Sequence, residues 1–405
     1  MAEELPLADV KVLDFMWVMA GPTATRRLAD YGATVVRVES TKRIDTSRTL
    51  PPFYGGGPGP ENSGRFHSWN AGKLGITLDL KQKSGRAVAL DLIRWADVVT
   101  ESFSPKAMRA FGLDYESIRQ VKPEIIMLST CLMGQSGPLS KFAGFGSLAT
   151  AISGFYDITG WPDRPPAGPF GAYTDTVAPR LMVAAVLAAL DHQRRTGQGQ
   201  YIDLSQAEAS LLFLGPALLD YAVNGRVHER AGNRDPEMAP HGVYPAAGTE
   251  RWVAIAVESD EQWRAFCDVI ARRELSTDER FSTIEERLAH QDELDAIVAE
   301  WTQGREAQEV EKVLQSRGIP AGVVQRSDEL LTDPQLVHRD HFLQVEHPMH
   351  GTVTVEGSQF KLSRTPARME RAGPTLGGDN QHILETLLGY GAERMAALVA
   401  EGVLE

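Results

Sequence analysis

One carboxylate stands just ahead of the longest apolar segment of the chain. In GAYTDTVAPRLMVAAVLAAL, residues 171–190, Asp175 has no Lys, Arg or His within four residues on either side. Pro179 is tolerated in the first turn of a helix, and the helix dipole stabilises an anion at that end. An aspartate in this setting is typical of a helix cap. A carboxylate that faces a pocket can also attack an activated carbonyl group as a covalent nucleophile, so both interpretations stay open at this point.

Two other patterns carry less specific chemistry. GQSGP, at 134–138, has its second glycine one residue too early for the G-x-S-x-G turn of a serine hydrolase. HRDHFLQVEHPMH contains four histidines, and closely spaced histidines occur in metal sites. Because Pro348 interrupts this stretch and no Cys accompanies it, we interpret its histidines as solvated loop residues and expect no metal. They are His338, His341, His347 and His350.

The turn AGP, at 20–22, lies between a predicted strand and a predicted helix. Free backbone N–H groups at a helix start bind anions, although an ordinary strand-to-helix loop has the same appearance. Arg37, Lys81 and Lys106 fall near the ends of other predicted strands. These side chains would gather positive charge at one edge of a sheet, which favours an anionic small ligand.

Strands and helices alternate in the first third of the chain. Buried strands are predicted at 10–15, 34–40, 75–80, 97–102 and 124–131, with helices between them. This alternation predicts an α/β fold, a parallel sheet with helices on both faces. Further along, the sequence predicts apolar helices at 180–193 and 205–223, a linker near 225, a strand at 251–259, amphipathic helices over 282–318, a hairpin at 350–362 and a helical tail.

Composition narrows the possible partners. The chain has 405 residues and a formal net charge of −13, which argues against nucleic acid and anionic membranes. Two cysteines, Cys131 and Cys267, form no disulfide framework and fit a reducing compartment. The start MAEELPLADV has no apolar signal region, and the apolar run LMVAAVLAAL is about half of a membrane span. We therefore expect a soluble cytoplasmic protein.

From end to end, the sequence resembles the family III CoA-transferases. This CaiB/BaiF family is named for formyl-CoA transferase and carnitine CoA-transferase and includes α-methylacyl-CoA racemase. The resemblance rests on VKVLDFMWVMAGPTATRRLADYGATVVRVES, NAGKLGITLDLK, ADVVTESFSPKAMRAFGLDYESIRQVKPEIIMLS and GQSGP. It continues with TDTVAPRLMVAAVLAALDHQRRTGQGQYIDLSQAEA, APHGVYP, RGIPAGVV and DPQLVHRDHFLQVEHPMHGTV.

The resemblance implies a fold and a reaction. It implies a Rossmann-like large domain built from both chain ends, 1–224 and 326–405, a smaller α+β domain at 225–325, and a dimer of interlocked rings. It also implies that Asp175 attacks an acyl-CoA thioester to give a mixed anhydride and CoA thiolate, and then carries CoA as an aspartyl thioester. Coenzyme A is a substrate in this scheme, and no permanently bound cofactor or metal is expected.

The resemblance also implies the residues that contact CoA. Arg37 would lie near the adenine and phosphates, and Lys81 would contribute charge. The family's basic residue of the segment 106–111 aligns with Ala110, which leaves Arg109 as the candidate for that contact. The full set is Val18, Met19, Ala20, Arg37, Leu78, Lys81, Ser102, Phe103 and Arg109.

Departures from the family pattern bear on the substrate. Formyl-type enzymes have an acid at the position of Gly146 and Gln at that of Met19, and they have a run of glycines near 232–242, all absent here. We therefore expect a less polar acid than oxalate. Racemases use a His at the position of Phe145, and phenylalanine cannot move a proton. The candidate pocket residues are Tyr54, Phe145, Gly146 and Tyr173.

We conclude from the sequence that the chain is a CoA-transferase acting on an acyl-CoA and a carboxylic acid. Two alternatives stay open: an acyl-CoA epimerase of the same fold, and a subunit that works with a paralogue. The expected assembly is a homodimer, with a heterodimer as the variant.

Overall fold

The computed structural model describes residues 4–104 and 106–405. The chain forms two compact units. One comprises the chain up to Tyr156 together with Gly168–Val227 and Pro334–Glu405. The other comprises Asp157–Ala167 and His228–Asp333. The short segment Asp157–Ala167 thus belongs with the second unit, although no composition change within 1–224 marks a break.

A six-stranded parallel sheet forms the centre of the first unit, which confirms the predicted α/β class. Its spatial order is β3-β2-β1-β4-β5-β6. This order reverses direction between β1 and β4, as in dinucleotide-binding folds. The strands are β1 (Lys11–Phe15), β2 (Thr34–Glu39), β3 (Leu74–Thr77), β4 (Val98–Glu101), β5 (Ile126–Cys131) and β6 (Tyr201–Ser205).

Alternate residues of the strands face opposite sides of this sheet, as the two-residue strand period requires. Val12 and Val35 belong to the core beneath α1 and α7, whereas Leu13 and Val36 belong to the core beneath α3 and α17. The α-helices of the described residues are α1 (Ala20–Asp30), α2 (Gly64–Trp69), α3 (Lys83–Trp95), α4 (Ala107–Phe111), α5 (Tyr115–Ile118), α6 (Gly146–Ile152), α7 (Tyr173–Thr196), α8 (Gln206–Leu211), α9 (Gly215–Asn224), α10 (Asp260–Val269), α11 (Ile284–Ala289), α12 (Gln291–Thr302), α13 (Ala307–Gln315), α14 (Ser327–Leu330), α15 (Pro334–His338), α16 (Asn380–His382) and α17 (Ala392–Ala400).

Helix α7 begins seven residues earlier than predicted, at Tyr173, so Asp175 lies inside its first turn. By length and composition alone, α7 is apolar enough to cross a membrane, yet half of its apolar window is buried in the protein. Its inner stripe, which includes Met182 and Val186, packs in the core with α1. This is the packing of a core helix. The second predicted helix, 205–223, is interrupted by a 3₁₀ turn at Leu212–Leu214.

The second unit has its own antiparallel sheet of β7 (His241–Pro245), β8 (Trp252–Ala256) and β9 (Ala321–Val323). Trp263 and Phe266 of α10 are buried in its core together with Val298 of α12. In the first unit, β10 (Phe342–His347) and β11 (Gly351–Glu356) form an antiparallel hairpin.

The hairpin predicted at 350–362 was wrong in its bounds. The actual turn is formed by residues 348–350, and Gly351, which follows it, has φ 65°. Val345 and Val353 are buried on the inner face of the hairpin. The two-residue alternation in FLQVEH therefore marked a strand in a stretch that the sequence analysis had interpreted as a loop.

Candidate active site

A cavity of about 280 Å³ lies beyond the carboxyl ends of β1, β4 and β5. Parallel α/β sheets bind ligands at such a point, where the strand order reverses and the loops diverge. The segment 140–146 and α7 complete its wall. Its lining consists of Trp17, Val18, Met19, Ala20, Gly21, Ser102, Phe103, Ser104, Cys131, Leu132, Ser140, Lys141, Phe142, Ala143, Gly144, Phe145, Gly146, Asp175 and Gln206.

The turn after β1 is held in a conformation that L-residues seldom adopt. Val18 has φ 67°, which is strained for a β-branched residue. Its backbone N–H donates to both carboxylate oxygens of Asp45 at 3.1 Å, and the Trp17 N–H donates to Ser102 Oγ at 2.9 Å. These bonds fix the backbone at the N-terminus of α1, whose first turn has no side-chain cap. The turn is therefore preorganised beside the cavity.

Arg37 supports this turn from inside the protein. Its guanidinium is fully buried and donates from Nη1 to the Met16 carbonyl at 2.6 Å. It also pairs through Nε with Glu39 at 3.1 Å and through Nη2 with Asp45. Arg37 was predicted to contact CoA, but in the structure its donors are directed at protein groups.

Asp175 is a buried carboxylate that has no counter-ion among the described residues. Its residue is 8% exposed, and burial raises the pKa of its carboxyl to about 6. Within residues 4–104 and 106–405, its carboxylate has no hydrogen-bond or ion-pair partner. By contrast, buried Asp14 accepts from Lys73 Nζ at 2.9 Å and from Thr25 Oγ1 at 2.7 Å. Buried charges are normally paired, so Asp175 is an exception that points to function.

Gly146 allows the carboxylate to rest against the start of α6. A Cβ atom at residue 146 would lie 2.5 Å from Asp175 Cγ, closer than real Cβ contacts. The Gly146 carbonyl accepts from Thr150 Oγ1 at 2.7 Å and from Thr174 Oγ1 at 3.1 Å. The first turns of α6 and α7 are thereby fastened together, and the absent side chain at 146 makes room for the carboxylate.

Asp175 also borders a second space. A groove of about 720 Å³ runs along α1 and α7 to residues 356–362, and it shares Met19 and Asp175 with the first cavity. Its walls are mainly apolar, with Leu28, Val183 and Leu187 among them. One carboxylate therefore meets two spaces, which is the geometry needed to reach a carbonyl carbon with a large substituent on each side.

Comparison with known proteins identifies the family. The family model described as CoA-transferase family III matches residues 7–380. The chain belongs to CoA-transferase family III. It is 34% identical over 402 residues to the succinyl-CoA–D-citramalate CoA-transferase of Chloroflexus aurantiacus, covering 98% of each chain.

Two further relatives agree with this assignment. Over 406 residues, 29% are identical to the alpha subunit of a succinyl-CoA–L-malate CoA-transferase of Chloroflexus aurantiacus, covering 99% of this chain and 93% of that one. The crystal structure of a CAIB/BAIF family protein from Brucella suis superposes with a TM-score of 0.88 at 29% identity, covering 95% of this chain and 100% of that chain. The protein is thus a CoA-transferase, and its substrates are CoA thioesters.

Eight residues predicted for this CoA-transferase site meet at the first cavity. They are Val18, Met19, Ala20, Ser102, Phe103, Phe145, Gly146 and Asp175.

The other predicted residues lie elsewhere. Leu78 is in the sheet core, while Lys81, after β3, and Arg109, on α4, are exposed. Tyr54 stacks on His350 with ring centroids 5.3 Å apart. Tyr173 packs on Phe155 with ring centroids 4.9 Å apart.

Several residues of the cavity were not predicted from the sequence, and Lys141 is chemically the most informative of them. It is the one basic residue among the described residues that line the cavity. The segment 139–145 forms no motif, so no local signal marked it. Trp17 was also missed, although it adjoins Val18; its ring meets that of Phe103 edge-on at 5.6 Å.

We expect Gly146→Ala to lower kcat at least ~10-fold, because the added methyl group displaces the nearby carboxylate from its position. Overpacking of this kind also costs roughly 1–3 kcal/mol of stability. The test is steady-state kinetics together with urea unfolding. Gly144→Ala is less informative as a control because its methyl group would meet Leu148, a flexible side chain. Unchanged kcat in Gly146→Ala would show that the carboxylate does not need this position.

Proposed function

We propose that this enzyme moves CoA from an acyl-CoA donor to a free carboxylic acid, with Asp175 as the covalent nucleophile. The observation that carries the proposal is the uncompensated, buried carboxylate of Asp175 at the meeting point of two spaces. An anion that is poorly solvated and unpaired is a stronger nucleophile than one in water.

The transfer proceeds in four balanced steps. An Asp175 carboxylate oxygen attacks the thioester carbonyl and the C–S bond breaks. This step releases CoA as the thiolate and leaves the acyl group joined to Asp175 as a mixed anhydride. The thiolate then attacks the aspartyl carbonyl and releases the donor acid, which leaves an aspartyl-CoA thioester. The acceptor carboxylate attacks that thioester and gives a second anhydride with free thiolate. Finally, the thiolate attacks the acceptor's acyl carbon, which forms the new acyl-CoA and restores Asp175. No ATP is consumed, since each step exchanges one activated carbonyl for another.

Epimerisation of an acyl-CoA is the alternative on the same fold. It needs a second group that returns a proton to the opposite face of the α-carbon. Phe145, which has no ionisable group, occupies the cavity wall near Asp175. This position supports transfer over epimerisation.

Lys141 supports a dicarboxylate as the acyl group, in place of the less polar acid expected from the sequence. The relatives named above act with succinyl-CoA and with citramalate or malate. Of the described residues that line the first cavity, Lys141 alone offers a cation for a distal carboxylate. The CoA arm would then run past Val18 and Phe103 at the ends of β1 and β4.

Intact-mass spectrometry tests the proposal. Purified protein would be incubated with acetyl-, succinyl-, butyryl- or benzoyl-CoA, beside an Asp175→Ala variant. We expect a CoA-sized adduct on the Asp175 peptide of the unmodified chain alone, formed at the lowest concentration with succinyl-CoA. Deuterium at the α-carbon of the acyl-CoA without an adduct would instead establish epimerisation.

An exposed apolar surface supports assembly with a second copy of the chain. Leu212, Phe213, Leu219, Tyr221 and Val223 are each more than half exposed, on the 3₁₀ turn before α9 and on α9 itself. Exposed patches of this kind mark protein interfaces. We propose a homodimer, and light scattering that gives the mass of one 44.3 kDa chain would contradict it. Since one relative is named as an alpha subunit, a partner paralogue is the alternative.

A further inference from the structure

Three histidines meet in the first unit, outside the cavity that contains Asp175. His67 lies on α2, His347 ends β10, and His350 lies in the turn before β11. Their candidate ligand nitrogens are within 4.8 Å of one another. The sequence pattern favoured solvated loop positions for His347 and His350, but His347 is 2% exposed and His350 is half-buried. His67 is far from His347 and His350 along the chain, so no spacing in the sequence predicted the cluster.

One backbone carbonyl determines which nitrogen carries the proton in two of these rings. The Glu61 carbonyl oxygen accepts from Nε2 of His67 and from Nε2 of His350, both at 2.8 Å. A neutral imidazole carries one proton, so Nδ1 of each ring keeps a free lone pair. Metal-bound histidines characteristically donate a hydrogen bond from the N–H of their second ring nitrogen to a carbonyl or carboxylate in this way.

Two ring nitrogens of the cluster have unmet hydrogen-bonding capacity. His67 Nδ1 and His347 Nε2 are buried and have no partner among the described residues. Burial is the main cause that lowers the pKa of both rings to about 4, so both are neutral at pH 7. Buried unpaired nitrogens are costly, which indicates that something is meant to lie between them.

We propose that His67, His347 and His350 bind a divalent transition-metal ion of the zinc class. Three imidazoles suit Zn²⁺, Co²⁺ or Ni²⁺, whereas Mg²⁺ and Ca²⁺ require oxygen ligands. Zn–N bonds of about 2.0 Å place nitrogens ~3.3 Å apart, so the candidate nitrogens, which now lie within 4.8 Å of one another, must draw closer on binding.

Two local features oppose binding and are small enough to be overcome. His347 Nδ1 accepts the Met349 N–H at 3.2 Å, so ligation through Nε2 moves its proton to Nδ1 and ends that long contact. Arg48 and Arg371 are neighbouring cations, but the Arg48 guanidinium already pairs with Glu39 and Glu61, each at 2.8 Å, and Arg371 pairs with Asp379 at 3.0 Å. A bound ion would tie α2 to the β10–β11 hairpin and stabilise the first unit.

The test uses the full chain after treatment with a chelator. Zn²⁺ would be titrated while the melting temperature is followed, and bound metal would be counted by mass spectrometry after dialysis. Co²⁺ adds a visible absorption band that reports four-coordinate geometry. We expect one ion per chain and a rise in melting temperature. His350→Gln, at the half-buried ligand, should weaken binding at least ~100-fold. His338→Gln, in the same segment but outside the cluster, should bind as the unmodified chain does.

Two outcomes would overturn the proposal. Equal Zn²⁺ responses in His350→Gln and in the unmodified chain would place the metal elsewhere. No response in either protein at micromolar Zn²⁺ would mean that the buried nitrogens are bridged by water alone. His350→Gln keeps a hydrogen-bonding side chain at the surface of the cluster, so the comparison does not depend on a variant that fails to fold. The outcome is also independent of the role proposed for Asp175.

Discussion

Asp175→Asn is expected to lower the rate of CoA transfer by at least ~10⁴-fold, because an amide cannot attack the thioester. The variant keeps the shape of the side chain, so substrate binding should change little. The rate is measured by separating donor and product acyl-CoA after single time points. Asp191→Asn is the matched control, since Asp191 lies on the same helix and is exposed near Arg195. Activity within tenfold of the unmodified enzyme would exclude Asp175 as the nucleophile.

The same substitution should stabilise the fold at neutral pH. Burial raises the pKa of Asp175 from 3.8 to about 6. Below pH ~3 the carboxyl is protonated in both the folded and the unfolded chain, so the substitution changes little. As the pH rises through 3.8 the unfolded chain loses its proton first, and the folded state loses stability until the pH passes 6. At 1.36 kcal/mol per pKa unit, the penalty at pH 7.5 is ~3 kcal/mol.

Urea unfolding at pH 7.5 and at pH 4 measures this difference. We expect Asp175→Asn to be more stable than the unmodified chain at pH 7.5, and most of this difference to disappear at pH 4, close to the unfolded pKa of 3.8. A gain in stability with a loss of activity is the signature of a strained functional group. A loss of stability at pH 7.5 would mean that the carboxylate is a helix cap whose anionic form supports α7.

The sequence predicted those features that depend on local patterns. Apolar runs with intervening helices were enough for β1 to β5, because strands buried on both faces are continuous apolar segments. Asp175 was identified because it stands alone at a helix start, and the family resemblance gave it a role. Its unpaired state depends on distant segments, since Gly146 and the loop 139–145 reach it only through the fold.

The sequence could not predict where long side chains point. Arg37 lies within β2 between Val36 and Val38, where a cation could face either the ligand or the protein. The structure encloses it because the loop after β2 returns and places Asp45 beside it. Likewise, His67 meets His347 only because the chain after 334 returns to the first unit. Such contacts between remote segments are set by tertiary packing and leave no periodic trace.

Arg37→Met is expected to destabilise the first unit by about 3–5 kcal/mol, since removal of one partner leaves a buried charge unpaired. Asp45 would lose its ion-pair partner, whereas Glu39 would keep Arg48. Because Asp45 also holds the Val18 N–H, the turn beside the cavity should loosen and KM for acyl-CoA should rise. Urea unfolding and steady-state kinetics measure the two effects together.

Arg109→Met is the control that separates support from direct contact. Both arginines were predicted to contact CoA, but Arg109 is exposed on α4 and Arg37 is enclosed. Replacement of an exposed arginine should leave the unfolding midpoint nearly unchanged, and KM alone should rise if this side chain meets a CoA phosphate. For Arg37→Met, stability and KM should change together. Arg37→Lys should recover only part of each, because one ammonium group cannot replace a guanidinium that bonds Met16, Glu39 and Asp45 at once. An Arg37→Met variant with normal stability and a raised KM would return Arg37 to the CoA site, and the turn after β1 would then be held by Asp45 and Ser102 without it.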